Sequence, residues 1–261
     1  MADPERQGVS RAMFDGHRLF HVSDVHFGAE NRDAIAWFAD AVRAENPDVV
    51  VCTGDLTQRA THRQFDRARQ FFDSLNVPVT LEPGNHDMPY YNLWERFIQP
   101  YKRYGTLADL VRAPVELAHC VLIPLKTTVR IQPRFPWSDG YVREEALART
   151  VTALGKLSGD TRQKIVTCHH PLLPARPEDK NPTIGGDSAF AAIAAAGADA
   201  VLTGHVHVPF DIMRASGNKS VRMIGAGTLS TRLRGAQPGY NVVTISAGGH
   251  IASEQRVFSP V

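Results

Sequence analysis

The chain is short of cysteine, of net charge and of long apolar runs, and each shortage closes off a class of protein. Three cysteines in 261 residues, Cys52, Cys120 and Cys168, are too few and odd in number for a disulfide framework. All three fall in strand-like segments and are expected as buried free thiols. Cys168 adjoins His169, but strand alternation turns it away from its neighbour, so it is not counted as a metal ligand. Lys and Arg number 29 against 27 Asp and Glu, a net charge of +2. This lacks the clustered basic character of a nucleic-acid-binding domain, so no nucleic-acid polymer is expected as a partner. No apolar run reaches the ~18 residues of a membrane span. The N-terminal MADPERQGVSRAMFDG mixes acids with bases and has no apolar h-region, so residues 1–16 are expected as a polar arm rather than a signal peptide. A cytoplasmic setting follows as the default. No internal repeat, low-complexity tract or domain boundary is visible, and residues 17–261 are expected as a single domain whose 43% hydrophobic content supplies a full core.

What is present is chemistry at strand ends. Five short runs rich in Val, Ile and Leu stop abruptly in residues that bind metals: HRLFHVSDVH, DVVVCTGD, VPVTLEPGNHD, KIVTCHH and DAVLTGHVH. In open α/β proteins the crevice beyond the carboxyl ends of the strands is where ligands bind. The candidates are Asp24, His26, Asp55, Asn85, His86, His169, His205 and His207, a dinuclear metal site in outline. Asp24-x-His26 and His205-x-His207 place two side chains on one face of a strand, so each pair is expected to grip one cavity from one side. Asp24, Asp55 and Asn85 follow one another at about thirty residues, the length of a βαβ unit. Glycine precedes the candidate at 54–55, 84–85 and 204–205, where a missing Cβ lets the backbone come close to an ion or phosphate. Singly, an Asp-x-His or Gly-Asp is usually a turn or helix cap. Five such ends together leave little room for that reading.

In order, D-x-H, GD, GNH[DE], H and GHxH span Asp24 to His207, and the chain thereby resembles the calcineurin-like metallophosphoesterases. GDLTQRA (54–60), PGNHDMPYYNL (83–93), CHHP (168–171) and GTLSTRLRG (227–235) are most similar to small bacterial members of the class III cyclic-nucleotide phosphodiesterase and glycerophosphodiesterase kind. Lys126-Thr127 departs from the Asn-Ser that such relatives often carry, which weakens transfer of their substrate preference. The resemblance implies an α/β fold, a two-sheet β-sandwich flanked by helices in four αββα layers. It puts Asp24, His26 and His207 on one metal and Asn85, His169 and His205 on the other, with Asp55 bridging. His170 is then a packing residue. His86 matches the position that contacts the substrate phosphate and protonates the leaving oxygen, and Asp87 the position that orients that histidine.

Two divalent ions with two carboxylates and a bridging hydroxide leave a site of +1, suited to one phosphodiester anion. A neutral Asn85 preserves Lewis acidity, and the imidazoles suit Mn, Fe, Co or Zn better than Mg or Ca. The resemblance therefore implies a phosphodiesterase acting on small diesters, cyclic nucleotides or glycerophosphodiesters, through a metal-bridging hydroxide. Arg232 and Arg234, two apart in the loop GTLSTRLRG, are added as candidate substrate-binding residues. The alternatives are a phosphomonoesterase or a pyrophosphohydrolase on nucleotide or lipid-linked substrates, and a protein-binding scaffold on the same fold. A lipid substrate favours an exposed apolar cap, and no helical insertion to build one is evident. Some relatives form homodimers, and no feature of this sequence requires one.

Helical periodicity marks 31–46, 61–76, 141–157 and 187–198. Phe65, Ala68, Phe72 and Leu75 form one stripe in the second of these and are expected in the core. Strand–helix alternation to residue 203 gives way to VRMIGAG, YNVVTIS and HIASEQRVF, a tail that fits a second sheet layer. Segments 127–140 and 171–187 are long irregular connections of the kind that form binding loops or lids, and the second, which begins just after His169, is expected to border the substrate cleft. Phe135 and Trp137 in the first either stack on a base or pack against the body, with packing preferred.

Overall fold

The computed structural model describes residues 15–111, 113–133, 137–176 and 183–260. Residues 1–14 of the expected arm, Phe135 and part of the 171–187 connection lie outside them. Strands β1 (Gly16–Val22), β2 (Val49–Cys52) and β3 (Val79–Leu81) run parallel, linked by helices α1 (Arg32–Glu45) and α2 (His62–Ser74). Local chemistry sets these helix ends. The Asn31 side chain accepts from the Ala34 N–H to open α1, and Asn46 closes it at φ 43°. Thr61 and Gln64 form a reciprocal capping box at the start of α2. Helix α3 (Leu93–Ile98) follows β3, in a stretch without helical periodicity.

The second half of the chain supplies β4 (Val115–Glu116), β5 (Cys120–Pro124), β6 (Gly140–Tyr141), α4 (Glu144–Lys156), β7 (Gln163–Thr167), β8 (Thr183–Ile184), α5 (Gly186–Ala195) and β9 (Ala200–Thr203). Strands β10 (Phe210–Ser216), β11 (Lys219–Gly225), β12 (Gly239–Ser246) and β13 (Ile251–Val257) complete it. One sheet has the order β13-β12-β1-β2-β3 and the other β10-β11-β9-β7-β5-β4, with β6 and β8 forming a small pair. The tail is thus not a second layer by itself. The second sheet grows from the parallel strands β5, β7 and β9, which β11 joins, while β12 returns antiparallel to β1 and β13 pairs antiparallel with β12. The alternation that reads as one βαβ series is two series, and the sequence carries no mark at the point where the chain changes sheets.

Side-chain alternation then builds the layers. Leu19, Val49, Val51, Leu122, Leu202 and Val243 face between the sheets. Their neighbours Phe20, Val50, Cys52 and Val242 pack beneath α1 and α2 with Phe38, Phe65, Ala68, Phe72 and Leu75. On the far side Val121, Ile123, Val166 and Val201 meet Leu154, Phe190 and Ile193 of α4 and α5. This is the expected four-layer αββα sandwich, with both faces of central strands such as β2 and β9 buried and therefore continuously apolar. The three cysteines are free and buried, Cys168 within the α4–α5 layer. Among the described residues no helix is long and apolar enough to cross a membrane.

Candidate metal centre

The carboxyl ends of β1, β2, β3, β7 and β9 open at one edge of the sandwich, and the loops after them carry the candidate ligands. Asp24 and His26 lie past the end of β1, and His205 and His207 past β9, so strand alternation is not what pairs them. Asp24, His26, Asp55, His205 and His207 all have φ between 48° and 68°, the left-handed region that non-glycine residues seldom occupy. Such backbone persists where surroundings over-determine it, and it clusters at functional sites. Here the loops are laced by main-chain bonds: Asp24 N–H to Gly54 O at 2.9 Å, His26 N–H to Asp55 O at 2.9 Å, and Gly204 N–H to His169 O at 2.9 Å. Gly84 makes the closeness necessary. A Cβ there would stand 2.1 Å from the backbone nitrogen and from Oδ1 of Asp55.

The side chains converge. Asp24, His26 and His207 offer ligand atoms within 4.8 Å of one another, as do Asp24, Asp55 and His169, and His26, Asp55 and His86. Asp24 Oδ1 lies 3.0 Å from His207 Nε2 and 3.6 Å from His26 Nε2, and Asp55 Oδ2 lies 3.7 Å from His26 Nε2 and 3.5 Å from His169 Nε2. Backbone carbonyls fix the rings, because a carbonyl only accepts: Nδ1–H of His169 donates to Thr53 O at 2.7 Å, and Nδ1–H of His207 to Arg232 O at 2.6 Å. Each Nε2 is thereby turned into the site. His205 is held by its own N–H, which donates to Asp24 Oδ2 at 2.8 Å.

This donor set fits divalent cations. Asn85 Oδ1 faces His169 Nε2 at 3.1 Å, and His26 Nε2 faces His207 Nε2 at 3.3 Å, pairs of acceptors that need a proton or a cation between them. Asp24 Oδ1 and His26 Nδ1 are buried without a hydrogen bond of good geometry. Burial opposes ionisation of Asp24 and Asp55, yet the neighbouring histidines hold both carboxyls well below the usual range. Burial likewise opposes charge on His169, but Asp55 raises it to about 9. His205 is pushed down to about 3 by burial and by His169.

His170 belongs elsewhere. Its Nδ1 is 3.0 Å from the Thr127 hydroxyl and its Nε2 donates to Ser138 O at 2.9 Å, so both ring nitrogens are used, and its ring packs 4.5 Å from that of His205. Asp87 does not orient His86. It accepts from the N–H groups of Gly84, Leu56 and Thr57 at 2.9, 3.1 and 2.8 Å and from the Thr57 hydroxyl at 2.9 Å, tying the GNHD turn to the loop after β2. The group that orients His86 is Gln58, whose carbonyl accepts from Nδ1–H at 2.8 Å. A backbone carbonyl leaves no trace in sequence.

The two arginines part company. Arg232 reaches inward, its Nη1 2.9 Å from His86 Nε2 and 3.3 Å from His26 Nε2, with Gln58 Oε1 at 3.5 Å. Arg234 is exposed. Its charge is still felt at His205. Beside this centre opens a cleft of about 450 Å³ lined by Asn85, His86, Arg232, Tyr90, Trp137 and others. Trp137 therefore faces the cleft instead of packing against the body, and Tyr90 joins it without any signal in the sequence.

With the site in view, the likeness to known proteins becomes informative. The sequence model of the calcineurin-like phosphoesterases matches residues 17–209. The chain belongs to this family. It is 38% identical over 80 residues to the glycerophosphodiester phosphodiesterase GpdQ of Enterobacter lignolyticus, covering 26% of this chain and 29% of that protein. It is 25% identical over 252 residues to a component of the nuclease SbcCD of Staphylococcus saprophyticus, 87% of this chain and 65% of the relative. It is 32% identical over 83 residues to the UDP-2,3-diacylglucosamine pyrophosphatase LpxG of Chlamydia muridarum, 31% of this chain and 25% of the relative. The chain thus spans between a quarter and two thirds of these relatives. A dimetal phosphatase from Danio rerio shares the fold with a TM-score of 0.60 at 14% identity, over 93% of this chain and 99% of that one. Family and fold agree, and the clusters of His and Asp lie on the loops that the matched region contains.

Proposed function

We propose that this protein is a dinuclear-metal-dependent phosphodiesterase in which Asp24, His26 and His207 hold one ion, Asn85, His169 and His205 the other, and Asp55 both. The observation that carries the reading is the packing of five Asp and His donor atoms 3.0–3.7 Å apart, with His86 and Arg232 on the cleft side. When bound, two such ions act as Lewis acids on phosphoryl oxygens and make water a competent nucleophile near neutral pH.

The chain's own residues do the rest. Arg232 and His86 stand together at the mouth, where a guanidinium and an imidazole N–H receive the two free oxygens of a diester. Burial pushes His86 below its ordinary value, with Asp55 opposing and His26 and Arg232 adding to the fall. A bound anion reverses the bias, because negative charge beside an imidazole favours the imidazolium. His86 is then poised to give its Nε2 proton to the leaving alkoxide, worth ~10²–10⁴-fold. Gln58 O keeps the ring in register by holding the other nitrogen.

The test is turnover by protein reconstituted separately with Mn, Fe, Co and Zn, on glycerophosphodiesters, cyclic nucleotides, monoesters and pyrophosphates. Diester kcat/KM at least about tenfold above monoester supports the reading. A monoester or pyrophosphate preference replaces it with the corresponding hydrolase. Full metal occupancy with no turnover on any of them makes the chain a scaffold.

A further inference from the structure

Helix α3, inserted directly after the GNHD turn, is built inside out. Its charged residues Glu95 and Arg96 are buried, while Leu93 and Trp94 are 57% and 71% exposed. Glu95 pairs with Arg103, and the Arg96 guanidinium donates to Arg130 O at 3.1 Å and Pro89 O at 3.4 Å, so this orientation is fixed by buried polar bonds. The Asn92 side chain caps the helix by accepting from the Glu95 N–H at 3.0 Å. Tyr90, Tyr91 and Ile98 extend the same apolar surface at 55%, 75% and 58% exposure. Five large apolar side chains within nine residues form a contiguous patch of the kind that marks an interaction site.

The surroundings of the patch specify what covers it. Tyr90 and Leu93 line the same cleft as Asn85, His86 and Arg232, with Trp137 opposite, so the ledge is continuous with the reaction centre. The residues lining that cleft include three arginines, Arg59, Arg96 and Arg232, and no carboxylate. Arg59 stacks over the Tyr90 ring at 4.2 Å, where cationic floor meets apolar ledge. Other exposed apolar residues also border the centre: Val208 follows His207 and Leu233 follows Arg232. The mouth therefore grades from cationic at Arg232 to apolar at Trp94, the polarity of an anionic head with a hydrocarbon tail. Tyr and Trp are the side chains that suit such a boundary.

We propose that the ledge of Tyr90, Tyr91, Leu93, Trp94 and Ile98 seats the hydrocarbon part of an amphiphilic phosphate ester whose head occupies the cleft. This rests on the phosphodiesterase reading of the same site and names its substrate class: an acylated glycerophosphodiester in preference to the free headgroup. Helix α3 supplies the exposed apolar surface for which the sequence shows no evident helical insertion.

Two measurements test it. Binding is followed first with chelator-treated, full-length protein, by tryptophan fluorescence and equilibrium dialysis, using a glycerophosphodiester and its short-chain and long-chain lyso forms below their micelle concentrations. Affinity should rise at least about tenfold from the free headgroup to the long chain, and Tyr91→Ser with Trp94→Ser should abolish the rise. Both positions are exposed, and an unchanged thermal midpoint confirms the fold. Turnover of bis(4-nitrophenyl) phosphate by the metal-loaded variant should stay within about twofold of wild type, while KM for the long-chain diester rises at least about tenfold. Affinity independent of chain length overturns the proposal. So does a wild-type dimer that the double variant splits while chain length has no effect, which assigns the ledge to a second copy. Chain-length-dependent binding with no turnover of any ester upholds the ledge and sinks the hydrolase reading.

Discussion

Replacing Arg232 and Arg234 one at a time asks whether the loop after β11 binds substrate through one guanidinium or two. Arg232 Nη1 lies 2.9 Å from His86 Nε2, the edge on which a diester oxygen must sit if His86 is to protonate its leaving group. A hydrogen bond from a charged donor to a charged acceptor contributes about 1.5–3 kcal/mol. Its loss in Arg232→Ala therefore lowers kcat/KM for an anionic diester roughly 10- to 150-fold. Most of the loss should fall on KM if the contact is as strong in the ground state as in the transition state. Arg234 is exposed and makes its influence through solvent, so Arg234→Ala should change kcat/KM by less than about threefold, a change that added salt removes. The assay is steady-state turnover on the best diester found, with metal content matched among variants. A larger effect at Arg234 than at Arg232, or no effect at either, refutes the placement of this loop.

Three further outcomes follow from other parts of the site. His86→Ala should leave metal content within error and cost an alcohol leaving group at least about tenfold more than 4-nitrophenol, which departs without a proton; equal losses would deny His86 the acid role. Glu82 is buried against the Thr167 hydroxyl, at 2.7 Å, and burial raises its carboxyl to about 7 from 4.5. The folded state therefore binds the extra proton, so stability is undiminished below pH 4.5, falls as pH rises to 7, and is then lower by about 3 kcal/mol. Glu82→Gln should raise the thermal midpoint at pH 8 and flatten its fall between pH 5 and 8; an unchanged slope would contradict this. Gly84→Ala, whose methyl would stand 2.1 Å from Asp55, should lower both metal affinity and thermal midpoint, and wild-type values of both would show that the turn yields freely.

Much of the centre is legible in sequence because strand ends are legible. Strands of three to seven residues halting before Asp24, Asp55, Asn85, His169 and His205 place those residues on one edge without any knowledge of sheet order. Strand alternation does not explain the Asp24-x-His26 pairing. Both residues lie beyond β1 in left-handed backbone, and that conformation is imposed by contacts across the two sheets, which local sequence does not encode. Asp87 shows the same limit: its partners include the N–H groups of Leu56 and Thr57, main-chain groups from a loop thirty residues away. The topology of the tail is hidden because nothing in the sequences of β11, β12 and β13 marks which sheet each joins. Helix α3 is hidden because its buried face is charged and its exposed face apolar, the inverse of the pattern by which helices are recognised.

The central claim is that Asp55 holds two ions for one reaction. Its side chain is shared between the two clusters, 3.7 Å from His26 Nε2 and 3.5 Å from His169 Nε2. Metal content by mass spectrometry, measured on the same samples as diester turnover, tests this for wild type and Asp55→Ala. Two ions per chain in wild type, with ions and turnover lost together in Asp55→Ala, is the expected result. Two ions retained by Asp55→Ala at a near-normal rate, or full turnover by a wild-type protein stripped of metal, would contradict it.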